Sequence, residues 1–159
     1  MSLKNLIKSE AKEKEVVIEL LHEDSIMPKY AHEKDAGADI FAYIKPKEEI
    51  TLEPLERIVI GTGIKINIPE DYEIQVRAKS GLASKQGLVI ANGIGTIDEQ
   101  YTGEIGVIAI NLSREPITIK HGQKIAQIVL SPIIKVPFRE GVVIKETTRG
   151  DKGYGSTGI

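Results

Sequence analysis

The fold is decided by a short alternating segment, Ile64-Lys65-Ile66-Asn67-Ile68, in which every second side chain is apolar. Because successive side chains of a β-strand point to opposite faces, this period of two predicts a strand with one buried face. Similar apolar segments predict strands at Val16–Leu21, Asp39–Ile44, Arg57–Ile68, Tyr72–Val76, Leu88–Ala91, Ile105–Leu112, Lys124–Leu130 and Val142–Lys145. Proline and glycine turn signals separate them, and one helical turn fits around Ser80–Gln86. The pattern predicts an all-β sandwich, jelly roll or barrel.

The composition agrees with a single folded domain. The chain has 159 residues, of which 41% are hydrophobic and 28% are charged, which suits one compact core. Aromatic residues make up only 4% and tryptophan is absent, so isoleucine, valine and leucine must fill the core, and these residues favour strands. We predict a charged N-terminal arm over residues 1–15, a β domain over residues 16–148 and a glycine-rich C-terminal tail over residues 149–159.

Composition also argues against several classes of function. The net charge of -2 disfavours broad nucleic-acid binding, which needs a basic surface. No apolar run approaches the length of a membrane span, so no membrane association is expected. The absence of cysteine excludes disulfides, thiolate metal sites and a cysteine nucleophile, and it is compatible with a cytoplasmic location. The histidines show no metal-ligand spacing, so we expect no metal site built from protein side chains.

One predicted strand is apolar on both faces. In Ile105-Gly106-Val107-Ile108-Ala109-Ile110-Asn111-Leu112, both sets of alternating side chains are largely hydrophobic. A sandwich strand with one face in water should carry polar residues on that face, so both faces should be covered. Another subunit or the rest of the same chain could supply the second cover, and the pattern does not choose between them.

A glycine-bracketed loop carries the most informative functional signal, Asn92-Gly93-Ile94-Gly95-Thr96-Ile97-Asp98-Glu99-Gln100-Tyr101-Thr102-Gly103-Glu104. Glycines allow a bound group to approach the backbone closely, because no Cβ stands in the way. Asp98 can take a proton from water, and the ring of Tyr101 can pack against a cyclic ligand. The loop therefore predicts a binding pocket.

Three further segments carry polar side chains at strand ends. Asp39 begins a strand after small residues, where an Asx turn is the simpler interpretation. Lys79-Ser80-Gly81 follows a strand end, which suits a phosphate or, more simply, a solvated end capped by Ser80. Gln127 is an amide among apolar residues, and it must find hydrogen-bond partners there.

The C-terminal tail combines glycines, hydroxyls and a ring. Its sequence is Arg149-Gly150-Asp151-Lys152-Gly153-Tyr154-Gly155-Ser156-Thr157-Gly158-Ile159, and it lacks the Walker A pattern. A glycine-rich terminus is usually disordered, but a ring among glycines is also suited to stacking on a base.

Taken in order, these five segments resemble the five motifs of the deoxyuridine triphosphatase (dUTPase) family. The most specific are QVRAKSGLA, NGIGTIDEQYTGE and RGDKGYGSTG, and the resemblance runs from about residue 16 to the C-terminus. It implies a jelly-roll-like β fold and a homotrimer with sites shared between subunits. It also implies a tail that becomes ordered when it closes over the bound substrate.

The resemblance assigns roles to residues of the pocket loop. Asp98 resembles the general base that activates a water, and Tyr101 resembles the ring that packs on the deoxyribose and excludes a 2′-hydroxyl. The residues that resemble the uracil-reading hairpin are Asn92, Gly95, Thr96, Ile97 and Gly106.

It also assigns roles to the remaining segments. Phosphate contacts are implied for Lys79, Ser80, Gly81 and Gln127, and Asp39 resembles a supporting acid. In the tail, contacts to the outer phosphates are implied for Arg149, Ser156 and Thr157, with Tyr154 stacked on the uracil. The chain departs from the family's usual residues at Lys79 and Lys124, where arginine is common, and at Gln100 and Lys152.

The implied reaction is hydrolysis of dUTP to dUMP and pyrophosphate by attack of water on the α-phosphorus. Such an activity limits uracil incorporation into DNA and supplies dUMP for thymidylate synthesis. Mg²⁺ is the implied cofactor, held by substrate phosphates and waters. The alternatives are a dCTP deaminase of the same fold and a non-catalytic sensor that binds dUTP.

Overall fold

Antiparallel strands dominate the computed structural model, which describes residues 15–45, 48–143 and 150. The elements in chain order are β1 (Val17–Leu20), β2 (Ala38–Phe41), β3 (Glu49–Leu52), β4 (Arg57–Gly61), β5 (Ile64–Asn67), β6 (Tyr72–Ala78), α1 (Ser80–Gln86), β7 (Leu88–Ile90), β8 (Ile94–Ile97), β9 (Gly106–Asn111), β10 (Ile117–Lys120) and β11 (Lys124–Pro132). Within the described ranges, no helix is long and apolar enough to cross a membrane.

The strands form four open sheets. The largest has the order β2-β11-β6-β8, and a second has the order β4-β9-β7. Two hydrogen-bonded pairs, β1-β5 and β10-β3, complete the set. Every pair is antiparallel, and the all-β, jelly-roll-like fold expected from the sequence is confirmed.

The alternating segment behaves as its period predicts. Ile64, Ile66 and Ile68 are at most 3% exposed, whereas Asn67 is exposed. Burial of one isoleucine side chain contributes about 2 kcal/mol, so a one-residue shift of β5 would sacrifice about 6 kcal/mol from these three residues. Branched aliphatic side chains from the other sheets complete the same core.

Most of the predicted strands are present, with shifted ends. The long segment Arg57–Ile68 is divided into β4 and β5, because Gly63 adopts a positive φ of 66° at the turn between them. The short helix at Ser80–Gln86 is confirmed.

Three strands were not predicted, and one prediction is wrong in part. β3, β8 and β10 are each four residues long, and β8 contains a glycine, which is depleted in strands. The predicted strand Val142–Lys145 is absent at Val142 and Val143, which are exposed, and its remaining residues lie outside the described ones.

The doubly apolar strand has only one face covered by the described part of the chain. Val107 and Ala109 are at most 2% exposed, whereas Ile108 is 37% exposed and Leu112, just after the strand, is 56% exposed. Val59 of β4, which pairs with Ile108, is 63% exposed. The described residues therefore leave one apolar face of the β4-β9-β7 sheet uncovered.

A second apolar surface follows β11. Residues 133–143 form neither helix nor strand. Their large side chains are exposed at Ile134, Val136, Phe138, Val142 and Val143. The described part of the chain therefore leaves a second group of large apolar side chains uncovered.

Asn111 connects the end of β9 to its surroundings through its side chain. It is fully buried, and its Nδ2 donates to the carbonyls of Leu52 and Glu115 at 2.9 and 2.8 Å. Its Oδ1 accepts hydrogen bonds from the backbone and the hydroxyl of Ser113 at 2.8 and 2.7 Å. One amide therefore holds β9, the end of β3 and the turn before β10 together.

We expect Asn111→Leu to lower the free energy of unfolding by about 3 kcal/mol, because it removes all four side-chain hydrogen bonds of Asn111 and leaves the buried carbonyl of Leu52 without this donor. Ser113→Ala is the matched control and should cost about 1 kcal/mol. Urea unfolding at one fixed protein concentration measures both. Equal midpoints for the two variants would contradict the central role of Asn111.

Candidate active site

A cavity of about 200 Å³ lies beside the edge strand β8. Its lining residues come from β6, β7, β8, β9 and the loops on either side of β8: Val76, Ile90, Asn92, Gly95, Thr96, Ile97, Asp98, Tyr101, Ile105, Gly106 and Ile108. The structure thus brings together seven of the predicted site residues, namely Asn92, Gly95, Thr96, Ile97, Asp98, Tyr101 and Gly106.

The absence of side chains at two glycines lets the walls of this cavity lie close together and leaves its interior free. A Cβ added at Gly95 would lie 3.2 Å from the Cβ of Val76, and one added at Gly106 would lie 2.7 Å from a methyl carbon of Val59. Larger residues at these two positions would therefore force the side chains of Val76 and Val59 to move. The resulting slot has apolar walls and exposed backbone groups, which suits a flat heterocycle whose edge offers hydrogen-bonding groups.

Asp98 and Tyr101 stand at the rim of the cavity in one turn. Asp98 follows β8 directly, and the backbone N–H of Tyr101 donates to the carbonyl of Asp98 at 3.0 Å. Both side chains are exposed. Among the described residues that line the cavity, Asp98 is the only charged one, so the cavity offers a base but no cation for an anionic ligand.

A separate cluster contains the predicted phosphate-binding residues. The ammonium of Lys79 contacts Asp39 Oδ1, and Lys124 Nζ lies 2.9 Å from Asp39 Oδ2. The carboxylate of Asp39 is buried at 6% exposure, whereas the side chains of Lys79 and Lys124 are 26% and 50% exposed. One carboxylate and two ammonium groups leave the cluster with a net charge of +1.

The pKa of Asp39 follows from this arrangement. Burial acts to raise it, but hydrogen bonds from Lys124 and Lys79 and the charges of both lysines lower it below its ordinary value of 3.8. Asp39 is therefore ionised at neutral pH, and its carboxylate binds the lysines.

The neighbours of this cluster are also fixed by hydrogen bonds. Gln127 Nε2 donates to the carbonyl of Ala78 at 3.4 Å, as expected for an amide among apolar residues, and a Cβ at Gly37 would lie 2.5 Å from Gln127 Oε1. Arg77, two residues before Lys79, donates from Nε to Gln75 Oε1 at 3.1 Å.

Ser80 and Gly81 form the start of α1. Lys79 rather than Ser80 occupies the N-cap position, and no side-chain hydrogen bond caps the helix, so the expected cap from Ser80 is absent. A side chain at Gly81 would meet nothing within 4 Å. The helix start is therefore open toward solvent.

Asp98 and Lys79 lie at opposite ends of β6. Ile97 of β8 pairs with Ile74, and Ile94 pairs with Arg77, so Asp98 stands level with Glu73. Lys79 follows six residues later, and at the rise of an antiparallel strand this separation is about 20 Å. One chain therefore does not place Asp98 beside its own lysine cluster.

The remaining predicted site residues, Arg149, Tyr154, Ser156 and Thr157, lie outside the described part of the chain. Where residues are described, no group of three or more acidic or histidine side chains is arranged to hold a metal ion.

Sequence reasoning did not select several residues of the site. Val76, Ile90, Ile105 and Ile108 form the cavity walls, but in the sequence they are indistinguishable from other strand residues. Lys124 was noted as a departure from the family pattern but not as a partner of Asp39, since only the pairing of β2 with β11 brings them together.

Comparison with known proteins gives one consistent result. The family profile described as dUTPase matches residues 23–158. The chain is 50% identical over 144 residues to the deoxyuridine 5′-triphosphate nucleotidohydrolase of Clostridium novyi (strain NT), covering 91% of this chain and 99% of that protein. It is 49% identical over 144 residues to the enzyme of the same name from Clostridium kluyveri, covering 91% and 98%.

Solved structures agree. A mutant dUTPase of Staphylococcus bacteriophage 80alpha with dUpNHpp has a TM-score of 0.81 and 29% identity, with 91% of this chain and 99% of that chain covered. A mutant dUTPase from phage phi11 of S. aureus, described with a structural Mg(II) ion, has a TM-score of 0.73 and 29% identity, with 84% and 100% covered. Fold, sequence and the order of the motifs coincide, and the chain belongs to the dUTPase family.

Proposed function

We propose that this chain hydrolyses dUTP to dUMP and pyrophosphate. The observation that carries the proposal is the glycine-walled cavity with the carboxylate of Asp98 and the ring of Tyr101 at its rim. The names of the relatives at about 50% identity support the same activity. Neither a dCTP deaminase nor a non-catalytic sensor is favoured by these relatives. The cytoplasm is the proposed location, with which the absence of cysteine is compatible.

The cavity accounts for recognition of the base and the sugar. Uracil enters the slot between Gly95 and Gly106, where the backbone of β8 and the amide of Asn92 can meet its polar edge. A close backbone leaves no room for the methyl group of thymine. The sugar then packs against Tyr101, which is 48% exposed at the rim.

Asp98 is the proposed general base. It removes a proton from a water as the water oxygen forms a bond to the α-phosphorus, and the bond from that phosphorus to the bridging oxygen breaks. Pyrophosphate leaves with the electron pair, and dUMP remains. A positioned general base contributes about 10²–10⁴-fold to the rate. Alignment of the water and the phosphate increases the rate further.

Mg²⁺ is the proposed cofactor, as suggested by the ion described for the phage phi11 relative. Mg²⁺ prefers oxygen ligands and keeps several waters, and substrate phosphates often supply the other ligands. The triphosphate itself can therefore hold the ion near Asp98, which suits a cavity with a single carboxylate. When bound, the ion neutralises part of the charge of the phosphates.

The phosphates require cations that the cavity of a single chain lacks. Lys79 and Lys124 are candidates because their cluster with Asp39 has a net positive charge, but they lie about 20 Å from Asp98 along β6. The apolar face at Val59, Ile108 and Leu112 offers a surface for a second copy of the chain. We therefore propose a homotrimer, as in the family, in which each site combines Asp98 of one copy with Lys79, Ser80, Gly81 and Gln127 of another.

The tail completes the proposed site. Arg149, Ser156 and Thr157 contact the outer phosphates, and Tyr154 stacks on the uracil. A glycine-rich segment can follow the substrate closely and exclude water from the reacting phosphorus.

Asp98→Asn is expected to reduce kcat at least about 100-fold, because the amide cannot accept the proton of the attacking water. The Kd for a non-hydrolysable dUTP analogue should change little, since the amide has nearly the same shape. Pyrophosphate release and calorimetric titration measure the two quantities. A variant with near-normal turnover would remove Asp98 from the role of base.

A mixture of two inactive variants tests whether sites are shared. Lys79→Met and Asp98→Asn should each have low turnover, but random co-assembly should restore about a quarter of the wild-type activity, because that fraction of sites receives both native residues from different copies. The control mixes each variant with itself. If the site lay within one chain, every site in the mixture would lack one residue and no activity would return.

Deletion of residues 149–159 should lower kcat strongly while the melting temperature of the β domain stays nearly constant, because the tail contributes to closure rather than to the core. Steady-state kinetics and thermal unfolding provide the two measurements. Full activity of the truncated chain would show that the tail has no catalytic part.

A further inference from the structure

We propose that Glu104 is a positioning residue that fixes the ring of Tyr101 and thereby sets the discrimination between deoxyribose and ribose. The inference rests on the proposed function, since it concerns the sugar of the same nucleotide. It assigns a specificity role to a residue that does not line the substrate cavity.

Within the described part of the chain, the ring of Tyr101 has open space on more than one side. Besides the substrate cavity, it lines a second cavity of about 190 Å³ shared with Val17, Lys65 and Thr102. It also borders a third of about 440 Å³ shared with Lys135. A ring with open space on several sides can tilt unless something else holds it.

The hydroxyl of Tyr101 fixes the position of the ring. The Tyr101 hydroxyl donates to the backbone carbonyl of Glu104 at 2.9 Å. The ring lies directly against Gly103, where an added Cβ would be 2.5 Å from the hydroxyl oxygen and 2.7 Å from Cζ. The position of the ring therefore depends on the position of the backbone at residues 103–104.

That backbone is fastened to the turn between β4 and β5. Glu104 Oε1 accepts a hydrogen bond from the backbone N–H of Gly63 at 2.8 Å. The next residue adds two more bonds: the N–H of Ile105 donates to the carbonyl of Ile64 at 2.9 Å, and the hydroxyl of Thr62 donates to the carbonyl of Ile105 at 2.6 Å. Thr62 and Ile105 are 2% and 1% exposed, so the turn is part of the core.

The carboxylate of Glu104 is thus a second fastening of the peptide group that supports Tyr101, beside the hydrogen bond of the Ile105 N–H in the same peptide plane. Glu104 itself is exposed, so its side chain is not needed to fill the core. Without the carboxylate, the N–H of Ile105 alone holds this peptide group, which can then tilt about that bond, and the ring can move toward the second cavity. The space gained beside the sugar would admit the 2′-hydroxyl of a ribonucleotide.

The test compares kcat/KM for dUTP and for UTP in the full chain. Glu104→Ala should lower the ratio of the two values about tenfold, the usual order for a lost hydrogen bond to a charged group. Glu104→Gln should keep most of the ratio, because its amide oxygen can still accept the N–H of Gly63. Glu99→Ala is the matched control: the carboxylate of Glu99 accepts a backbone N–H from Asp71 at 3.3 Å in the same loop, and its loss should leave the ratio unchanged.

The outcomes separate this inference from the proposed function. A wild-type chain that does not turn over dUTP would overturn the proposed function. A wild-type chain that prefers dUTP, together with a folded Glu104→Ala variant of unchanged ratio, would overturn only the role of Glu104. A purely structural role would lower both kcat/KM values together and leave their ratio intact.

If circular dichroism shows that Glu104→Ala is unfolded, the same kcat/KM ratio is measured for Tyr101→Phe instead. This change removes only the hydroxyl that donates to Glu104, so the ratio should fall while the ring remains. If Tyr101→Phe left the ratio of kcat/KM for dUTP to that for UTP unchanged, the proposal that the hydrogen bond to Glu104 fixes the ring would be overturned.

Discussion

The antiparallel pairing of β6 is the constraint on which the rest of the site depends. One edge of β6 binds β8, which leads into the turn of Asp98, and the other edge binds β11, which carries Gln127 and pairs in turn with the strand of Asp39. A strand is nearly inextensible, so the length of β6 keeps Asp98 about 20 Å from Lys79 of the same chain. The proposed site, in which both residues act on one substrate, therefore requires that they come from different copies.

The apolar surfaces of the single chain are consistent with that requirement. A chain with 41% hydrophobic residues can bury a full core and still leave Val59, Ile108 and Leu112 exposed on one sheet. Ile108 also lines the substrate cavity. A subunit that covers this face would therefore approach the cavity itself, so the proposed assembly and the proposed shared site involve the same surface.

Sequence reasoning succeeded where the signal is local and periodic. The alternation at Ile64–Ile68, the turn residues and the glycine-bracketed loop each carry their own physical cause, and they gave the all-β class and the group Asn92, Asp98 and Tyr101. It missed β8 because a strand with a glycine in a glycine-rich loop is held by its partner β6 rather than by its own propensity. The link from Glu104 to Gly63 spans 41 residues, and no periodicity in the chain reports it.

The lysines at positions 79 and 124 give the cluster around Asp39 a specific physical character. An arginine fork would bind a carboxylate through two parallel hydrogen bonds and would be restricted to that geometry, whereas a lysine ammonium is a point charge on a flexible stem. Two ammonium groups on one buried carboxylate leave one positive charge uncompensated. In the proposed site, an incoming phosphate binds the half-exposed Lys124 or Lys79 while Asp39 keeps the other lysine as its counter-ion. The buried carboxylate therefore always keeps a counter-ion, and leaving it unpaired would cost several kcal/mol. Lysine in place of arginine weakens each single contact, but it preserves the electrostatic balance of the cluster.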